Sequence, residues 1–382
     1  MNTESKMVSF REKWKICYKK IPLYSIYREI VNKSLKALFK NFPTFVKFIF
    51  AKKNKNSVYI AFRPEGGFGD ILRQKAILTE VIKMFPDVGI DIYHNKAYSL
   101  LKDIRNIRFI FRDKHSLNIT KNFYNISFSQ YKDKFNLFVK ARVGGDKCYI
   151  RIKDNLNKYK IKYPDVLSSY KIILGSDSKV IDYVADCKLI GSKVKGKNIT
   201  FIKMFKILAG VDNIEDERLQ LKYEQQSLSR FGILKKQKYL TVQCGEGVSG
   251  DFGSRGWSLE NWEEFLAIVR EKLDKDIKII QVGMTKTSLK GVDININRLT
   301  TLEELWTVLE NSMLHIDLDG ACTHFARALN TKSVVLWSLK DPSFISYTEN
   351  INIIPEDGNV NSISPQYVSK RVIGYLTSQK NL

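Results

Sequence analysis

Residues 57–92, SVYIAFRPEGGFGDILRQKAILTEVIKMFPDVGIDI, constrain the fold more than any other part of the chain. Val58 to Phe62 is β-branched and aromatic with a turn signal behind it, the pattern of a strand. Gly66, Gly67 and Gly69 follow, residues that tolerate unusual backbone conformations and let another group approach closely. Leu78, Val81, Ile82 and Phe85 then recur at i, i+3, i+4 and i+7, one face of a helix. Asp70 therefore falls where a strand hands over to a helix, and in an open α/β sheet that is the edge where ligands bind. Two readings of the motif stand side by side. It is a binding loop carrying a catalytic carboxylate, or a tight turn in which Asp70 caps the helix. It is neither GxGxxG nor a P-loop, because no Gly-Lys-Ser/Thr follows.

A chain of 382 residues with 44% hydrophobic content is long enough for two domains with cores of their own. The formal charge of +23 points to an anionic partner: nucleic acid, anionic lipid or a phosphorylated substrate. Cys17, Cys148, Cys187, Cys244 and Cys322 are scattered, odd in number and form no CxxC pair. That usage fits a reducing compartment and gives no zinc pattern. No early apolar core leads to a small-residue cleavage site, and no apolar run reaches the length of a spanning helix, so a cytoplasmic location is expected.

The first 56 residues differ from the rest. They hold 14 Lys and Arg against three Glu, with Trp14, Tyr18, Tyr24, Tyr27, Phe39, Phe42, Phe45, Phe48 and Phe50 interleaved. A basic, aromatic, helix-compatible segment of this kind suits the surface of an anionic membrane. The alternative is a pair of ordinary helices packed on the core by their aromatic faces. Nucleic acid is the weaker partner class, since no zinc-finger spacing, RNP-like motif or helix-turn-helix is visible.

Residues 57–225 alternate strand and helix patterns, with strands expected at Ile107 to Phe111, Tyr149 to Ile152 and Lys171 to Leu174 and a helix near Ile199 to Leu208. A polar stretch from Lys222 to Lys238 links to a second α/β domain over residues 238–358. That domain opens with a strand, Tyr239 to Val242, and a glycine-rich loop, QCGEGVSGDFGSRGW. Ser258 is a plausible N-cap for a helix whose buried face is Leu259, Trp262, Phe265, Leu266 and Val269. Thr301-Leu-Glu-Glu304 is a capping box. Strands follow at Ile277 to Val282, Leu314 to Leu318 and Ser333 to Trp337, with a short helix from about Cys322 to Leu329. Strands alternating with helices imply parallel sheets, and two such domains in tandem leave a cleft between them. Residues 359–382 are expected to form a C-terminal helix that returns to the first domain.

The sharpest cluster of chemistry is HIDLDGACTH, residues 315–324. Asp319 and Gly320 end a buried strand, and Thr323 and His324 fall in the first turn of a helix, whose free amides favour an anion such as a diphosphate. The competing reading of His324 is a core histidine bonded to backbone. Asp317 and Asp319 as a metal-binding pair fit poorly, because the strand is buried and no further oxygen ligands lie nearby. His315 with His324 fits no zinc spacing. Arg255, two residues before Trp257, has the guanidinium fork that grips phosphate oxygens.

Taken in order, these pieces resemble glycosyltransferase family 9, the lipopolysaccharide heptosyltransferase family. The resemblance lies in GGFGD followed by MFPD and IDIY, in CGEG…SRGW…W, in LTTLEELWTVLENSMLHIDLDG, and in DGACTHFARALNTKSVVLW, and spans about residues 57–345. It implies a GT-B fold, two Rossmann-like domains with parallel sheets facing across a cleft, and an inverting transfer that needs no metal and no other cofactor. It implies a nucleotide-diphosphate sugar donor and a lipid-linked or phosphorylated glycan acceptor, handled at the inner face of the cytoplasmic membrane. Carried onto this sequence, Asp70 takes the role of general base. Arg255, Gly320, Thr323 and His324 fall at the donor diphosphate, Asp319, Gly245 and Glu246 elsewhere on the donor, and Gly66, Gly67 and Gly69 on the acceptor-side loop. The chain departs from the family at Lys332, where Pro is usual, at Asn330, where Gly is usual, and after Gly283, where Lys286 replaces an acid. A GT-B-shaped nucleotide-sugar epimerase and a non-catalytic glycan- or nucleotide-binding module are the rival functions.

Overall fold

The structure, a computed structural model, describes residues 32–51, 59–62, 64, 67–84, 89–94, 98–116, 219–245, 256–338, 342 and 346–380. Residues 1–31, the strands expected near residues 149 and 171, the helix near residue 199, and Gly66, Glu246 and Arg255 lie outside this set.

The first unit is a three-stranded parallel sheet in the order β1-β2-β3, with β1 Tyr59–Phe62, β2 Gly89–Tyr93 and β3 Ile107–Phe111. Helix α2, Phe68–Met84, makes the crossover from β1 to β2. Its residues Leu78 and Ile82 are buried, as the periodicity requires. The short helix α3, Tyr98–Leu101, leads into β3. Ahead of the sheet, residues 32–40 are helical and run into α1, Phe42–Phe50, which lays Phe45 and Phe48 on the aromatic rings of β3.

The second unit holds six parallel strands in the order β6-β5-β4-β7-β8-β9. These are β4 Tyr239–Val242, β5 Lys278–Gln281, β6 Ile294–Asn295, β7 His315–Leu318, β8 Ser333–Leu336 and β9 Ile351–Ile353. The chain winds outward from β4 in one direction and resumes from β7 in the other. The carboxyl ends of β4 and β7 therefore flank the point where strand order reverses, the crevice in which such sheets bind ligands. Helices α4 Leu259–Lys272, α5 Leu302–Glu310 and α6 Ala321–Ala328 make the crossovers. The expected caps are present: Ser258 Oγ accepts from the Asn261 amide at 3.2 Å, and Thr301 and Glu304 close a reciprocal capping box. Trp257, Trp262 and Phe265 interlock edge to face beside the fully buried Leu266 and Val269.

The C-terminal helix α7, Pro365–Lys380, expected to return to the first unit, packs among the described residues along α4 of the second. Val368, Val372 and Leu376 enter the same core cluster as Trp262, Phe265 and Val269. The Trp257 indole N–H donates to the Ile363 carbonyl at 3.0 Å, fixing the approach. The apolar face of α4 is broad enough to take both the sheet and this helix.

Candidate active site

Asp70 lies at the third position of α2. The Gly67 amide donates to Asp70 Oδ2 at 3.0 Å, and the Gly67 carbonyl accepts from Ile71 at 3.1 Å. The carboxylate thus caps its own helix, one of the two readings of the sequence. The cap does not enclose it. Asp70 is half-buried, Gly67 is exposed, and an acidic group in a first turn is favoured by the helix dipole. One oxygen serves the cap, and the helix start sits at the carboxyl edge of the first sheet.

Facing it is the turn after β7. Gly320 is the N-cap of α6, in an extended conformation that any residue can adopt. The need for glycine is sharper at Gly245, at the end of β4, where φ is +69° and a Cβ would sit 2.2 Å from Leu318 Cδ1. Gly245, Asp319 and Gly320 thus share the carboxyl edge at the strand-order reversal. Thr323 is turned inward: its hydroxyl lies 3.0 Å from both Asp317 Oδ2 and the Leu318 carbonyl, and its amide donates to Asp317 Oδ2 at 3.1 Å. The sequence assigns that hydroxyl to a diphosphate; in the structure it builds the turn. Asp317 is likewise occupied, accepting from Leu318 N and lying 3.3 Å from His315 Nε2. Among the described residues no group of three or more His, Cys, Asp or Glu is placed to hold a metal ion.

His324 crosses between the units. Its Nε2 lies 3.0 Å from a terminal nitrogen of Arg73 on α2, and its Nδ1 lies 2.6 Å from the Tyr347 hydroxyl. Burial, and then the charge of Arg73, push its pKa well below the usual histidine value, so the ring is neutral. The guanidinium, which can only donate, lies 3.0 Å from Nε2 and 3.5 Å from Nδ1 and also bonds the Tyr347 hydroxyl, so the ring, Arg73 and Tyr347 form one connected cluster. Gly69 makes this contact possible: a Cβ there would lie 2.1 Å from His324 Cδ2. Phe68 meets Phe325 at 6.3 Å beside it, and Lys102 pairs with Glu303 at 3.3 Å across the same boundary.

Arg73 and Tyr347 escape the sequence reading. Burial works against the charge of Arg73, but Tyr347, Asp319 and Asp70 outweigh it and its pKa is raised. Burial also raises the Tyr347 hydroxyl, against the pull of Arg73. Asp70-x-x-Arg73 places acid and guanidinium on one helix face, a spacing visible in the sequence; nothing local marks Tyr347. The result is a polar cluster of Asp70, Arg73, Asp319, His324 and Tyr347 drawn from both units. Its buried cation is held by carboxylates of each.

No protein-family model and no curated protein matches the sequence. Solved structures do match in fold. The glycosyl transferase family 9 protein of Veillonella parvula aligns at 13% identity over 82% of this chain and 96% of its own, with a TM-score of 0.50. The ADP-heptose lps heptosyltransferase II of E. coli aligns at 12% identity over 84% of this chain and 99% of its own, with a TM-score of 0.47. The UDP-GlcNAc 2-epimerase of Methanocaldococcus jannaschii aligns at 11% identity and a TM-score of 0.35 over 84% of this chain and 99% of its own. Two parallel sheets, a strand-order reversal facing Asp70 and this alignment together give the chain a GT-B fold like that of the family 9 glycosyl transferase of Veillonella parvula.

Proposed function

We propose that this protein is an inverting glycosyltransferase. It moves a heptose or hexose from a nucleotide diphosphate sugar to a lipopolysaccharide, lipooligosaccharide or related surface-glycan acceptor at the inner face of the cytoplasmic membrane. One observation carries the reading: the Asp70 helix start and the Asp319–His324 turn meet across the two units, with Gly69 against His324.

In this reading Asp70 takes the proton of the acceptor hydroxyl as that oxygen attacks the anomeric carbon. The bond from the anomeric carbon to the diphosphate oxygen breaks, and the nucleoside diphosphate leaves with the electron pair. Its charge is met by the start of α6 and by Arg255, which suits transfer without a metal. Neutral His324, locked by Arg73 and Tyr347, positions the turn. The +23 charge of the chain suits an anionic donor and a phosphorylated acceptor.

The test is a thermal-shift panel of ADP-, UDP-, GDP- and CDP-sugars, since a ligand of the folded state raises apparent stability. A shift with one nucleotide class, followed by acceptor-dependent release of that nucleoside diphosphate, is expected. Conversion of the sugar without acceptor would assign the site to an epimerase. No shift with any sugar nucleotide would remove the transferase reading.

A further inference from the structure

The strongest unabsorbed feature is the outer face of the helical segment that precedes β1. Leu35, Phe39, Phe42, Val46 and Ile49 succeed one another at intervals of four, three, four and three residues, with Phe50 alongside, so they form one stripe. All six are exposed, Phe39 at 78% and Phe50 at 80%. The opposite face is spent on the protein. Phe45 meets Phe111 at 5.0 Å and Phe48 meets Phe109 at 5.4 Å. Asn41, at the joint of the segment, accepts from the Arg112 amide at 2.8 Å and donates to Ser116 Oγ at 3.2 Å. The stripe is therefore held outward by a fixed inner face.

Charge says what covers it. Lys33, Lys36, Lys40 and Lys47, all exposed, follow at intervals of three, four and seven residues, a parallel row along one side of the stripe. Residues 30–64 contain no acidic residue. A second copy of the chain would bring like charges against this row, whereas an anionic bilayer offers both a phosphate layer for the ammonium groups and an acyl boundary for the rings. Lysine stems are long enough to reach headgroups while the stripe lies below them.

We propose that the helical segment spanning residues 32–50 lies in the plane of an anionic membrane surface, with the phenylalanine stripe in the acyl boundary and the lysine row at the headgroups. Arg112 and Ser116, which bind Asn41, follow directly on the carboxyl end of β3, the sheet edge at which α2 and Asp70 also begin. The surface thus sets the height of that edge above the bilayer. This inference is independent of the reaction, and its test needs no sugar nucleotide.

Flotation of the full chain with vesicles of equimolar phosphatidylglycerol and phosphatidylcholine tests it, with pure phosphatidylcholine vesicles as the comparison. Binding to the anionic vesicles that weakens with salt is expected. Each lysine of the row changed to Gln should lower partitioning about fivefold. Phe39→Ser with Phe42→Ser and Phe50→Ser should abolish flotation while leaving the thermal midpoint unchanged, because these side chains are exposed, none by less than 58%. Absence of flotation, or flotation of both variant sets equal to the parent, would overturn the proposal. So would a dimer in solution that the serine variants split while vesicles stay unbound, which would give the stripe to a second copy.

Discussion

Gly69 and His324 touch so closely that no side chain fits between them: a Cβ on Gly69 would lie 2.1 Å from the imidazole Cδ2. The ring cannot swing aside without breaking its contacts to Arg73 at 3.0 Å and to Tyr347 at 2.6 Å. Gly69→Ala should therefore force the units apart or the ring out, at a cost of about 1–3 kcal/mol. His324→Ala removes the obstruction, so the double variant should be less destabilised than the sum of the singles. A double-mutant cycle by urea unfolding reads this coupling. Additive losses would place the strain of Gly69→Ala elsewhere.

Asp70→Asn separates the two roles of the carboxylate. The amide oxygen can still accept from Gly67, so the cap and the stability survive. The proton acceptor does not. A loss of transfer rate of about 100-fold to 10,000-fold with an unchanged thermal midpoint is expected. Asp70→Ala should show the same rate loss together with about 1 kcal/mol of lost stability from the missing cap. Normal transfer by the Asn variant would reduce Asp70 to a capping residue.

The docking of α7 predicts where stability is lost at the C-terminus. Leu376 is 6% exposed within the core cluster that includes Trp262 and Phe265. Leu376→Ala should cost about 2–4 kcal/mol through the cavity it leaves. Measured as a shift in the denaturant midpoint, a silent substitution would mean that the helix does not pack there in solution.

How much of this was legible beforehand follows the range of the interactions. Ile107 to Phe111 and Tyr239 to Val242 are read as strands with the bounds the structure gives, because their signals are contiguous. Ser258 and the Thr301–Glu304 box are read correctly because a cap spans only three residues. The destination of α7 was not legible: periodicity marks its apolar face but not the face that receives it, here α4 of the second unit. Arg73 was missed because its partner His324 is 251 residues away. The turn contacts of Thr323 escape the sequence for a subtler reason. A hydroxyl at a helix start serves a ligand or its own turn equally well, and the choice depends on Asp317, a strand residue whose side chain is folded back to meet it.

The buried state of His324 gives a pH signature with a definite sign. Burial first, then Arg73, lower its folded pKa well below 6.5, so protonation favours the unfolded chain. The stabilising contribution is complete above the unfolded value and declines as pH falls below about 6.5, until the folded pKa is reached. Within that window one proton separates the states, so stability should fall by about 1.4 kcal/mol per pH unit from this residue alone. Other carboxylates and histidines titrate over the same range, so the informative quantity is the difference between the parent and His324→Gln. Urea unfolding between about pH 7 and pH 5 should show a shallower decline in the variant. At the acid end the variant should approach or overtake the parent, because glutamine has no charge to bury. Equal slopes would mean that His324 titrates normally, and with it would go the neutral ring on which the Arg73 and Tyr347 contacts depend.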